Sequence, residues 1–300
     1  MLQSSLAIFR YELKKSFGIG HTIFWLCVIV FPTILQLLID HTGSTVPEEF
    51  SGVLLVGMIP GAVCLMTILS SMAPYLNTEL EGNTWPYVAT RPHGRTAMML
   101  GKYFVSITRS IIAGFLALVI IFPATSLNKL NRDIPPPISI SENTTGTVNA
   151  SQEPDGTAEV KAIVVDRDEP YPLWVSLSIL VVLSSVCYSS LFCLLGTIMH
   201  KKPMILAIIY TLLVEGVISM LPAVVNAFTI NFYLRSMFLR FMGWNLTDLP
   251  NELSFINDPN MFSQATSFWD FVSLLVLCTG FMLIANALLR NREYHVGETL

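Results

Sequence analysis

The sequence predicts an all-α integral membrane protein: six transmembrane helices, an N-terminal interfacial helix, and a short outer re-entrant or interfacial helix before the sixth span. Three observations predict it. Of 300 residues 53% are hydrophobic and only 13% charged, with a mean hydropathy of +0.60, which leaves too few polar side chains to coat a soluble globule. The apolar residues gather in blocks of about 20, the length a helix needs to cross a hydrocarbon layer of about 30 Å. The short connections between blocks carry Lys and Arg on one side, the bias that sets orientation during insertion.

In residues 1–20, Leu2, Leu6, Phe9, Leu13 and Phe17 recur every three or four positions, with Arg10, Glu12, Lys14 and Lys15 off that stripe. This is the pattern of an amphipathic helix lying along the membrane surface. The apolar run that follows is too long for the core of a signal peptide and has no small-x-small site after it, so it is expected to stay as an anchor. The predicted spans are 21–40, 52–76, 103–125, 173–199, 203–228 and 268–289. Segment 21–125 therefore holds spans one to three with a loop at 77–102, and segment 173–290 holds spans four to six with an outer helical element at 229–267. Arg10, Lys14, Lys15, Arg91, Arg95, Lys102, Lys201, Lys202, Arg290 and Arg292 share one side, which places both termini, including the tail 291–300, in the cytoplasm of a plasma- or inner-membrane protein.

The outer loop 126–172 contains Pro135, Pro136 and Pro137 followed by Ser, Asn, Thr, Gly and acidic residues, a composition that cannot bury a core. A short strand pair near 138–140 and 160–165 is the one element it suggests. Asn143, Asn149 and Asn245 match the glycosylation pattern, in segments rich enough in Asn, Ser and Thr for chance to explain them. In the element at 229–267, Phe232, Leu234, Phe238, Phe241 and Trp244 are too apolar for a free loop, and Arg235 and Arg240 are expected to snorkel to the headgroups.

All five cysteines fall within predicted spans and read as small packing residues. The five histidines are scattered without the i, i+4 spacing of a metal site, so no metal and no resident cofactor are expected. Two charges lie at membrane depth. Glu215 is about 18 Å into the fifth span by helical rise, where a charge must be paired, protonated or facing water. It is read either as a lining or proton-sensitive residue of a translocation path or as a protonated carboxyl in an interhelical hydrogen bond. Arg109 is near enough to the boundary to snorkel, and Glu215 is a candidate partner. Gly57 and Gly61, four apart and flanking Pro60, allow close approach of another helix, inside the bundle or on a second protomer, with Pro60 adding a kink. Ser184, Ser185, Ser189 and Ser190 raise the alternative of an intramembrane enzyme. No mid-membrane histidine is available to activate them, so helix packing is the expected role. A non-transporting scaffold is the other rival.

The distinctive stretch is the loop 77–102, with Glu79, Glu81, Gly82, Thr84, Trp85, Arg91, Pro92, Gly101 and Lys102. Acidic residues at the start of a short surface helix and cations at its end suit the helix dipole, and such a helix presents a rigid knob to a soluble partner. The segment resembles the loop of type-2 ABC exporter permeases, in which acidic residues, a Gly and a Thr precede a short helix, an Arg-Pro stop and a Leu-Gly-Lys start to the third span. Trp85-Pro86 departs from the apolar pair common there, and Pro86 must sit in the first turn of the helix, which is expected to start near Trp85. The resemblance implies a coupling helix that docks on a separate ABC ATP-binding subunit, which would bind ATP and Mg. The chain has no phosphate-binding loop of its own, since Gly101-Lys102-Tyr103 lacks the earlier Gly and the following Ser or Thr. It also implies a second permease protomer, with lipid around both; no nucleic-acid partner is expected.

Overall fold

A computed structural model describes residues 2–15, 18–41, 54–124 apart from 83 and 92, 171–217 apart from 200, 226, 229–243, 263 and 265–292. Among them the chain is helical with no strand. The helices are α1 (Leu2–Lys15), α2 (Ile19–His41), α3 (Leu54–Glu81), α4 (Trp85–Ala89), α5 (Gly94–Ala124), α6 (Leu173–Ile198), α7 (Pro203–Val217), α8 (Ile230–Met242) and α9 (Ser267–Asn291). Four of them, α3, α5, α6 and α9, are long and apolar enough to cross a membrane. The apolar stretches Thr22–Leu38 and Pro203–Val217, where the first and fifth spans are expected, are shorter. Residues 126–170, the three glycosylation-pattern asparagines and the tail from 293 lie outside the described residues.

Two boundaries differ from expectation in the same direction. The second span continues to Glu81, interrupted only by turn residues Ala73 and Pro74, and the third begins at Gly94 rather than 103. The polar residues that mark a loop in sequence are here the ends of two helices of 28 and 31 residues, each longer than the ~20 residues a span needs.

Helix α6 is the axis of the bundle: 78% of its most apolar window is buried, against 22% for α9. Side-chain size explains the difference. Around α6 the residues Ser184, Ser185, Cys187, Ser189, Cys193 and Gly196 let neighbours approach on every side, whereas α9 turns Trp269, Leu275, Val276 and Leu283 outward. A Cβ at Gly114 would meet Val181 Cγ1 at 2.5 Å and Cys64 Sγ at 3.1 Å, and one at Gly196 would meet the Ala73 carbonyl at 2.6 Å. Hydroxyls stitch the same seam, with Ser71 and Ser106 at 3.0 Å, Ser189 donating to Ser106 at 3.3 Å, and Ser110 and Ser185 at 2.8 Å. Each such bond in a membrane contributes roughly 0.6 kcal/mol. The serines thus pack helices. Gly57 and Gly61 do not: among the described residues no atom lies within 4 Å of a Cβ at Gly57, and at Gly61 only the Val56 carbonyl of the same helix does, at 3.6 Å. Packing of that pair inside the bundle is therefore corrected. The close approaches fall where small residues of two helices face each other, not where two glycines share one helix.

Helices α3 and α7 each contain a seven-residue π-helical segment, Gly57–Val63 and Thr211–Val217. Proline explains the first, since Pro60 has no N–H to give to the ladder. The Ser184 hydroxyl donates to the Pro60 carbonyl at 2.6 Å.

Helix α8 lies inside the molecule. Thr229 caps its start by accepting the Phe232 N–H at 3.3 Å, and Gly243, left-handed at φ 67°, closes its end. Arg240 does not snorkel. It is 8% exposed and pairs with Asp270 of α9 at 2.6 Å, while a second guanidinium nitrogen donates to the Ser263 carbonyl and the Ser263 hydroxyl donates to Asp270 at 2.6 Å. Carboxylate, carbonyl and hydroxyl together satisfy the buried guanidinium and its partner, as buried charges require.

Helix α1 packs on α5 through Ser5, Ile8 and Glu12, and Leu6 of the apolar stripe is turned outward.

Candidate functional site

The residues singled out at 77–102 meet at one end of the bundle, where α3 stops, α4 forms a corner and α5 starts. Trp85 is the anchor: it is buried, and the Arg95 guanidinium lies over its ring at 5.5 Å. Arg95 also donates to the carbonyls of Leu289, Arg290 and Arg292 at 3.3, 3.1 and 3.3 Å, capping the C-terminal end of α9. Pro86 occupies the first turn of α4, as its missing N–H requires. Val88 and Ala89 pack back on the core, while Tyr87 is 73% exposed and Thr84, Pro86, Thr90, Arg91 and His93 are exposed around it.

Two backbone features set the angle of α4. His93 adopts a left-handed φ of 59°, uncommon outside glycine. The next residue, Gly94, passes so close to α4 that a Cβ there would sit 2.2 Å from the Val88 carbonyl. No other residue type fits at that crossing.

Below the corner is a buried clamp. Lys102 Nζ lies 2.6 Å from Glu79 and 3.6 Å from Glu12, and donates to the Tyr75 carbonyl at 3.0 Å and to Thr78 Oγ1 at 3.3 Å. The Thr84 hydroxyl donates to the Glu79 carboxylate. One ammonium thus joins α1, α3 and α5, and Glu79 is committed inward. Glu81 is exposed, receiving only the Asn77 amide at 2.8 Å. Gly82 ends α3, where a Cβ would approach the Thr78 carbonyl to 3.0 Å, and Gly101 admits α1, since a Cβ there would meet Ile8 Cγ2 at 2.8 Å. Pro92 lies outside the described residues.

The intramembrane charges have separate surroundings. Arg109 is buried with its guanidinium over the Trp25 ring at 5.9 Å. Glu215 caps α8: Oε1 accepts the Ile230 N–H at 3.2 Å, and Oε2 accepts the Asn231 N–H at 3.2 Å and the Tyr188 hydroxyl at 3.1 Å. A carboxylate on the first N–H groups of a helix is stabilised by the orphan donors and the dipole together. Tyr188 and Ser184 are one turn apart on α6, so a single face of α6 holds both π-helical segments. Among the described residues no group of three His, Cys, Asp or Glu side chains could hold a metal ion.

Sequence reasoning missed Glu12, Arg95, Tyr188 and Asp270. Asp270 carried a readable signal, a lone acid two residues into an apolar span; Glu12 and Arg95 look like ordinary surface charges until the helices are placed. The chain matches no protein-family model and no curated protein.

Proposed function

We propose that this chain is the membrane-spanning permease subunit of an ATP-binding-cassette transporter, an exporter. In this reading six spans have both termini in the cytoplasm of a plasma or inner membrane, with α2 and α7 completing the first and fifth. The subunit pairs with a second permease protomer and moves substrate by alternating access. A separate ABC ATP-binding subunit binds ATP and Mg and does the hydrolysis, so this chain is not itself an enzyme.

The observation that carries the reading is the corner at α4. Its outer face offers exposed Tyr87, Arg91 and Glu81, while its inner face is held by Trp85, Arg95 and the Lys102 clamp. A load on Tyr87 would pass into α3, α5, α9 and α1 together. The test is affinity isolation of the full chain with an ATPase subunit, followed by partner ATP turnover. Tyr87→Ala and Glu81→Lys should weaken co-isolation while leaving the chain folded. Isolation without any ATPase, or variants that bind as well as the parent, would sink it. A cysteine at Ser151 should react with impermeant reagents only from outside.

A further inference from the structure

A cavity of about 700 Å³ opens between α5, α6 and α9, and its lining includes Tyr103, Val182, Cys187, Phe271, Leu275 and Cys278. Its mouth faces sideways, because Val182, Phe271 and Leu275 are exposed at its rim. Its floor is closed by Cys187 and Cys278, both buried, with sulfurs 2.9 Å apart. The few hydroxyls of the lining give their protons to backbone carbonyls: Ser178 donates to Trp174 at 2.7 Å, Thr279 to Leu275 at 2.8 Å and Tyr103 to Val186 at 3.4 Å.

Two occupants can be compared, and a second copy of the chain is an outcome of the test below. An ordered water needs two to four polar partners, and apart from three hydroxyls whose protons are already given to backbone carbonyls the lining residues are apolar or thiol. A flexible hydrocarbon chain needs none. From Phe271 to Met282 the lining runs about 16 Å along α9 by helical rise, close to the roughly 15 Å that one leaflet's chains cover. Leaving the space empty would forfeit dispersion contacts along its whole wall.

We propose that this groove is a binding site for one lipid acyl chain, taken from the half of the bilayer nearer α8. The site needs only that α5, α6 and α9 be embedded in lipid, so it stands apart from the permease reading. The experiment places the full chain in phosphatidylcholine vesicles carrying photoactivatable diazirines at several depths along the acyl chain, and maps adducts by mass spectrometry. Adducts at Val182, Phe271 and Leu275 should exceed those at Leu283 and Ile284, which are exposed on α9 outside the groove, by about tenfold, the ratio given by roughly 1.4 kcal/mol of preference over bulk lipid. Filling the groove with Val182→Trp should lower its adducts severalfold and leave Leu283 unchanged; Thr279→Leu serves if that variant fails to fold. Equal labelling of groove and outer face, adducts that persist after filling, or links between two copies of the chain at these positions would each overturn the proposal.

Discussion

A carboxylate set against the first two N–H groups of a helix is stabilised by those hydrogen bonds, and Glu215 does this for α8 from within α7. Glu215→Leu strands two backbone donors and the Tyr188 hydroxyl, at a cost of about 1–3 kcal/mol for a buried unsatisfied group. Glu215→Gln keeps one acceptor oxygen. Thermal unfolding in detergent should therefore rank parent above Gln above Leu; equal losses for the two variants would count against the capping role. At Lys102 the same reasoning predicts that Lys102→Met leaves the half-buried Glu79 without its cation and loosens α1 from α5. Hydrogen exchange in α1 should rise in that variant, and it should fall back in part when Glu79→Gln is added.

At the level of elements, α4 depends on a backbone crossing. Gly94→Ala forces the Val88 carbonyl to move, so α4 should detach while the long helices stay formed. Limited proteolysis near Tyr87 with unchanged far-ultraviolet dichroism is the expected pair of results. Between α8 and α9, Arg240→Met or Asp270→Leu alone should cost about 3–5 kcal/mol by leaving one charge unpaired in the interior, and the double variant should recover much of it. A double-mutant cycle on the midpoint of unfolding measures this. Much of this level was legible beforehand: the start and end of α6, the start of α4 at Trp85 and the presence of a helix before α9 all follow from apolar runs and proline positions. The lengths of α3 and α5 were not, because a helix leaving the bilayer turns polar on its surface and reads as a loop.

For the whole molecule, the ordering of helices around α6 comes from side-chain size, and it predicts which substitutions the fold tolerates. Gly114→Leu would place a side chain inside Val181 and Cys64 and should abolish a monodisperse chain, whereas Gly57→Leu meets none of the described residues and should leave it intact by size-exclusion chromatography. A folded Gly57→Leu that no longer self-associates would identify that face as a contact with a second copy. The serines of α6 announced close packing in sequence, yet which residues they would meet depends on pairing between distant segments, which periodicity does not encode. The clamp at Lys102 was half visible for the same reason: Glu79 and Lys102 stood out within one stretch, but Glu12 comes from another part of the chain.

The contact of Arg95 with the carbonyls of Leu289, Arg290 and Arg292 joins positions 194 to 197 residues apart. During synthesis, Arg95 emerges from the ribosome long before α9 exists. Trp85 and α4 therefore wait on the last helix for their final support. Every shorter nascent chain holds an unfinished corner, so the surface we assign to the partner would mature only on a protomer whose bundle is already closed.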